Sequence, residues 1–235
     1  MVTLTLITPN IELDNNFSLS FSAIDGTFHE IFTEEGVRSF VVVGIVKGKV
    51  TSSSLDIEEI EIVKGIYEGS GENAMRVAEY EEARKAKSDI VLMDRKISFD
   101  TSLGIIPPKR YLGIVKDFDP NTRKELQAND HTPWIKSESK SELRQGYFRL
   151  YPYSWVFMFE TNILDDSTLL KVLTIMGNVP LPEALGYNYP LFLADKLVKY
   201  YRDKEYRGIE LLLSPSRYRD FRGLVEHLRH SSRFY

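Results

Sequence analysis

The chain has no cysteine, which excludes a disulfide framework, a thiolate zinc site and cysteine nucleophilic catalysis. It also has no apolar run of the roughly 18–20 residues that a membrane span needs. Met1-Val2-Thr3-Leu4 lacks the basic segment that opens a signal peptide, so a cytoplasmic protein without a membrane partner is expected. A basic excess is missing too: 30 Lys and Arg against 34 Asp and Glu give a net charge of −4. Proteins that coat nucleic acid carry the opposite balance, so any such contact must come from a local patch. The stretch from Arg202 to Arg233 is one candidate, with Arg207, Arg217, Arg219, Arg222 and Arg229 interleaved with Tyr206, Tyr218 and Phe221. Guanidinium and aromatic groups pair phosphates and stack bases, although the same composition also makes a solvated helix face.

At 235 residues, with no internal repeat, low-complexity tract or Pro/Ser linker, the chain reads as a single domain over residues 1–235. Its core is expected at about residues 17–160 and a helical part at about 161–235. Phe17 to Ile24 alternates apolar and polar residues, the period of a half-buried strand. A second strand is expected at 40–46, ended by a Lys47-Gly48-Lys49 turn, and a third at 57–63. Residues 73–87 are rich in Ala, Glu, Arg and Lys and predict a helix entered through Gly69-Ser70-Gly71, after which 89–93 reads as a buried strand. A strand reached through a helix usually joins its sheet in parallel, giving β-β-β-α-β. Beyond it, 104–115 predicts a strand or hairpin, 119–145 loop and helix, and 147–159 a strand broken near Pro152. Helical stripes follow at 169–176, 190–201 and 221–228. The fold class expected is α/β, a ribonuclease H-like mixed sheet flanked by helices with a C-terminal helical elaboration.

Two of the strands are expected to end on an aspartate: Asp25 in Ile24-Asp25-Gly26-Thr27, and Asp94 after Val91-Leu92-Met93. The helix between them carries Glu79 inside a small face of Met75, Ala83 and Ala86. An inward carboxylate among alanines is costly unless paired or metal-bound. Glu82 and Glu72 are the alternatives on the same helix. Carboxylates brought together from separate elements suit a hard divalent ion, Mn²⁺ or Mg²⁺, and hence phosphodiester chemistry. Each residue alone has an ordinary reading as a turn, a solvated face or a cap; it is their order along β-β-β-α-β that points to a metal site.

The wording of these elements resembles the NurA family of archaeal DNA-end-processing nucleases. Ala23-Ile24-Asp25-Gly26-Thr27, Arg76-Val77-Ala78-Glu79, Val91-Leu92-Met93-Asp94 and Gly186-Tyr187-Asn188-Tyr189-Pro190-Leu191 are similar, in order, to four elements of that family. The resemblance implies Asp25, Glu79 and Asp94 as catalytic metal ligands. It also implies a C-terminal histidine completing the site, for which His227 is the best match and His230 the second, and a site tyrosine, for which Tyr218 is the candidate. The activity it implies is Mn²⁺-dependent 5′-to-3′ exonuclease action on single- and double-stranded DNA, with single-strand endonuclease action, in double-strand-break repair. The partners it implies are DNA, a second copy of the chain in a homodimer, a HerA-type hexameric translocase, and Mre11–Rad50. Here Asp94 is followed by Arg95-Lys96, where the family has Gly-Ser. That departure, with the short length, makes a scaffold that binds DNA or a HerA-type translocase with little cutting the alternative reading.

Overall fold

A computed structural model describes residues 17–33, 36–129, 131–140, 143–163, 165–213 and 215–231. Among these residues eight strands form one sheet in the order β3-β2-β1-β4-β5-β8-β7-β6. The first three, β1 (Ser18–Thr33), β2 (Gly36–Thr51) and β3 (Leu55–Glu68), form an antiparallel meander much longer than the alternating segments alone suggest. Two expectations change as a result. Asp25 does not end its strand, because β1 runs eight residues beyond it, paired with β2 throughout. Lys47-Gly48 is not the turn but a register shift inside β2; the chain reverses after Thr51, where its amide donates to Ser54 O (3.0 Å). The outer strand β3 alternates charged residues into solvent, and Lys47 and Lys49 pair with Glu61 (2.5 Å) and Glu58 (2.7 Å) across the edge. Charge along an edge discourages pairing with another chain.

Helix α1 (Gly71–Lys85) crosses over to β4 (Ile90–Met93), which pairs in parallel with β1 as expected. Beyond it come α2 (Ile97–Ser102), β5 (Tyr111–Val115), α3 (Pro120–Gln127), and the strands β6 (Trp134–Lys140), β7 (Leu143–Arg149) and β8 (Phe157–Thr161). The 104–115 segment therefore holds one strand, 119–145 a helix plus strand β6, and 147–159 parts of two strands. Helices α4 (Asp166–Gly177), α5 (Tyr189–Leu213) and α6 (Pro215–Ser231) follow. No helix among the described residues is long and apolar enough to cross a membrane.

Buried apolar clusters cover both faces of the sheet. On one, Ile24, Val43, Val91 and Met93 pack with Ala78, Tyr80 and Ala83 of α1. On the other, Phe21, Ala23, Ile90 and Leu92 pack with α4 and with Leu191 and Ala194 of α5. Side chains alternate between faces along a strand, so the residues after Ile24 and Met93 turn toward α5.

Candidate metal centre

The parallel ladder between β1 and β4 ends at Ile24↔Met93, so the next residue on each chain is an aspartate, Asp25 and Asp94. Both follow the alternation onto the α5 side. Opposite Asp25 on β2 stands Gly44. A Cβ there would meet Val198 Cγ1 at 2.8 Å and the Ala194 carbonyl oxygen at 3.3 Å, so the glycine is what admits α5. That helix is set by the Gly186-to-Pro190 motif. Gly186 adopts φ +79° against Ser154, a backbone conformation that favours glycine. Buried Asn188 accepts from the Leu191 amide (3.1 Å) and Pro190 takes the first turn. Tyr187 is thereby buried at 4% exposure, and Asp195 lies one residue past buried Ala194.

Asp25, Asp94, Asp195 and Glu79 share one field. Burial, then Glu79, Asp94 and Asp195, push the Asp25 carboxyl well above its ordinary value, and only Lys116 opposes them. Asp94 Oδ2 accepts from Lys116 Nζ (2.6 Å), and Asp195 Oδ1 pairs with Lys199 (2.6 Å). Lys116 Nζ also lies 4.5 Å from the centre of the Tyr187 ring. The Tyr187 hydroxyl is buried without a well-formed hydrogen bond, and burial together with Asp94 and Asp25 holds its pKa far above the ordinary phenol value. A cleft of about 690 Å³ opens here, lined among others by Arg76, Asp94, Arg95, Lys116, Asp195 and Lys199.

Glu79 approaches from the α1 side. A Cβ on Gly26 would stand 2.6 Å from Glu79 Oε1 and 2.9 Å from Met75 Cγ. Gly26 is therefore required by the close approach of α1 and not by a turn. The other oxygen, Oε2, accepts from Arg95 Nε. Burial raises the Glu79 pKa and Arg95 opposes it, while Asp100 and Asp94 add to the rise. Arg95 is held charged, Glu79 and Asp100 outweighing the opposing effect of its burial. Beyond Arg95, Asp100 is 2% exposed, accepts from the Tyr80 hydroxyl (3.0 Å) and pairs with Arg76 Nε (3.1 Å).

Asp25, Glu79 and Asp94 are thus brought together electrostatically. Glu72 lines the same cleft but is exposed and paired with Arg76 (2.6 Å), whereas Glu82 pairs with Lys85 (2.8 Å) beside a separate recess of about 410 Å³. His227 lies exposed on α6 and is not among the residues lining the cleft. Tyr218 and His230 lie on α6, but their side chains are outside what is described. Tyr187 and Asp195, which the sequence reading left without a role, are the groups that stand beside Asp25 and Asp94.

The donor set is all carboxylate, which suits a hard divalent ion, and the like-charge crowding at Asp25 is what such an ion would relieve. Among the described residues no three of these side chains already stand close enough together to hold one, three of the four carboxylates being drawn to Arg95, Lys116 and Lys199.

No family model matches the chain, and no curated protein is similar to it in sequence. Among solved structures, the NurA nuclease from Sulfolobus solfataricus superposes with a TM-score of 0.52 at 15% identity, covering 88% of each chain. Endonuclease V from Bacillus subtilis superposes with a TM-score of 0.50 at 16% identity, covering 80% of this chain and 83% of its own. At these identities it is the architecture that is shared: the fold is NurA-like, within the ribonuclease H-like class.

Proposed function

We propose that this chain is a divalent-metal-dependent nuclease that hydrolyses DNA phosphodiesters at the cleft where the chain leaves β4 and β5 beside α5. The observation that carries this reading is the pair of aspartates immediately past the last rung of the β1–β4 ladder, with Asp195 facing them from α5. Both named structural neighbours are nucleases, which supports the same chemistry. Asp25, Asp94 and Asp195 are the groups that would hold Mn²⁺ or Mg²⁺, and Glu79 belongs to the same charged cluster. Asp195 supplies the C-terminal donor that the resemblance sought in His227. A bound ion supplies a water of lowered pKa and offsets charge on the phosphoryl group.

The chain's own residues do the rest. Burial and three neighbouring carboxylates keep Asp25 reluctant to ionise alone, so proton release and cation binding at that oxygen are coupled. Lys116 and Lys199 place positive charge along the cleft, where a phosphate backbone needs it. The finer reading follows the resemblance: 5′-to-3′ exonuclease and single-strand endonuclease action in double-strand-break repair, as a homodimer working with a HerA-type translocase and Mre11–Rad50.

The test is a nuclease assay with Mn²⁺ on labelled single- and double-stranded DNA. Asp25→Ala and Asp94→Ala should each lose roughly 10³-fold in rate or more, at least the effect of deleting one oxyanion-stabilising donor. Near-wild-type cleavage by both variants would sink the assignment. The ion pairs Glu79–Arg95, Asp94–Lys116 and Asp195–Lys199 favour a second reading, a DNA- or translocase-binding scaffold whose internal cations replace the metal. Mn²⁺ calorimetry separates the two, since a scaffold shows no carboxylate-dependent binding.

A further inference from the structure

Arg95 follows Asp94 directly, just past the end of β4, and its side chain reaches α1. There it meets Glu79, which is 3% exposed, and its Nη1 stands 3.7 Å from Asp100 Oδ2. The α1 side therefore contains two buried carboxylates, Glu79 and Asp100, and two guanidinium groups, Arg76 and Arg95, linked through Asp100, which also accepts from the Tyr80 hydroxyl. Its charges balance. The α5 side is different: of its three aspartates, Asp94 pairs with Lys116 and Asp195 with Lys199, while Asp25 stands among carboxylates opposed by Lys116.

We propose that Arg95 is a fixed cation standing where a second divalent ion would meet Glu79, so that the site takes a single divalent ion, on Asp25, Asp94 and Asp195. This rests on the metal-dependent reading given above. A guanidinium stays charged at any working pH and fits a carboxylate with directed N–H groups. An ion entering at Glu79 would have to displace Arg95 and leave its charge uncompensated beside Asp100, which is strongly unfavourable in a buried setting. Glu79 is then a positioning residue that acts through Arg95 and not a ligand.

The test uses the full chain, stripped of metal with a chelator and titrated with Mn²⁺ in a calorimeter, with Mn²⁺ electron paramagnetic resonance as a second readout. Wild type should bind one ion per chain and give the spectrum of an isolated Mn²⁺. Glu79→Gln keeps an oxygen for Arg95 and should retain one ion with a Kd within about threefold, because a group outside the ligand shell perturbs affinity less than a ligand does. Arg95→Ala frees Glu79 and should bind a second ion; should it fail to fold, Glu79→Gln still decides. Two ions in wild type with an exchange-coupled spectrum, or loss of binding in Glu79→Gln, overturns the inference and leaves the nuclease reading standing. No ion bound by wild type overturns both.

Discussion

The two faces of the sheet at Asp25 handle charge in opposite ways. On the α1 side the buried charges pair: Glu79 with Arg95, and Asp100 with Arg76, whose buried Nε makes an ion pair without a well-formed hydrogen bond, and with the Tyr80 hydroxyl. On the α5 side three aspartates crowd together against two lysines, and a tyrosine hydroxyl is buried without a well-formed bond. The first arrangement is what folding alone would select, since buried charges are tolerated when paired and hydrogen-bonded. The second opposes folding and is retained where chemistry needs it. The comparison separates a balanced network from the one proposed above to hold the metal, within a few residues of the same strands.

The largest effect should come from unbalancing the balanced side. Asp100→Ala leaves Arg76 and Arg95 facing an emptied pocket and should cost about 3–5 kcal/mol, a fall in Tm of roughly 10 °C by thermal melt. Asp195→Asn removes charge from the crowded side, so Tm should hold or rise while Mn²⁺ affinity falls at least about tenfold, as for loss of a metal-site group. Equal destabilisation by the two variants would erase the distinction between the faces.

How much of this could be read from sequence depended on whether a signal was local. The alternation through Phe17–Ile24 and the apolar run before Asp94 are local, and the β-β-β-α-β order followed from them. Glu79 stood out because an acid among alanines breaks the pattern of its own helix. Asp195 did not stand out, since in Ala194-Asp195-Lys196 an acid beside a lysine looks like any solvated turn. The available clue lay far away, at Gly44, a glycine inside a valine-rich strand, which signals close approach by another backbone. The resemblance points to His227 on the helix of the Leu224/Leu228 stripe, yet those leucines are 57% and 56% exposed; amphipathic spacing shows a face without showing what covers it. Strand β6 was missed because Lys136, Ser137 and Glu138 read as loop until paired with β7.

The two glycines that admit the helices sharpen the comparison at intermediate size. Gly44→Ala sets a methyl 2.8 Å from Val198 Cγ1 and 3.3 Å from the Ala194 carbonyl oxygen. A backbone atom cannot swing away, so α5 must shift and Asp195 with it. Gly26→Ala meets mainly the Glu79 and Met75 side chains, which can give. Overpacking of this kind costs about 1–3 kcal/mol. Both variants should melt earlier, with Gly44→Ala the worse and the only one of the two to weaken Mn²⁺ binding. Parallel melts and titrations check the ranking.

The pH dependence should carry the signature of the crowded side. The folded-state pKa of Asp25 is raised, by burial first and then by Glu79, Asp94 and Asp195. The unfolded chain therefore loses this proton at lower pH than the folded protein does. The contribution to stability is fully present below the ordinary carboxylate value of about 3.8 and is lost as pH rises through the raised value. Metal-free protein should thus become more stable, relative to Asp25→Asn, as pH falls through that window. Urea melts of the two proteins at a series of pH values give the difference directly; a difference that is flat with pH would show that Asp25 titrates normally.

Tyr187→Phe should give the smallest change in stability and the most informative sign. Its hydroxyl is buried, lacks a well-formed hydrogen bond and faces Asp94 and Asp25. A hydroxyl needed by the fold contributes about 0.5–1.5 kcal/mol, and its removal lowers Tm. A hydroxyl desolvated without a partner contributes nothing or less, and the phenylalanine variant then melts at the same temperature or about 2–4 °C higher. The ring stays in place, so the packing against Lys116 and Phe157 is unchanged. If Tm holds while Mn²⁺-dependent DNA cleavage drops, the hydroxyl is kept for the substrate and not for the fold, and the crowded face is functional down to a single oxygen atom.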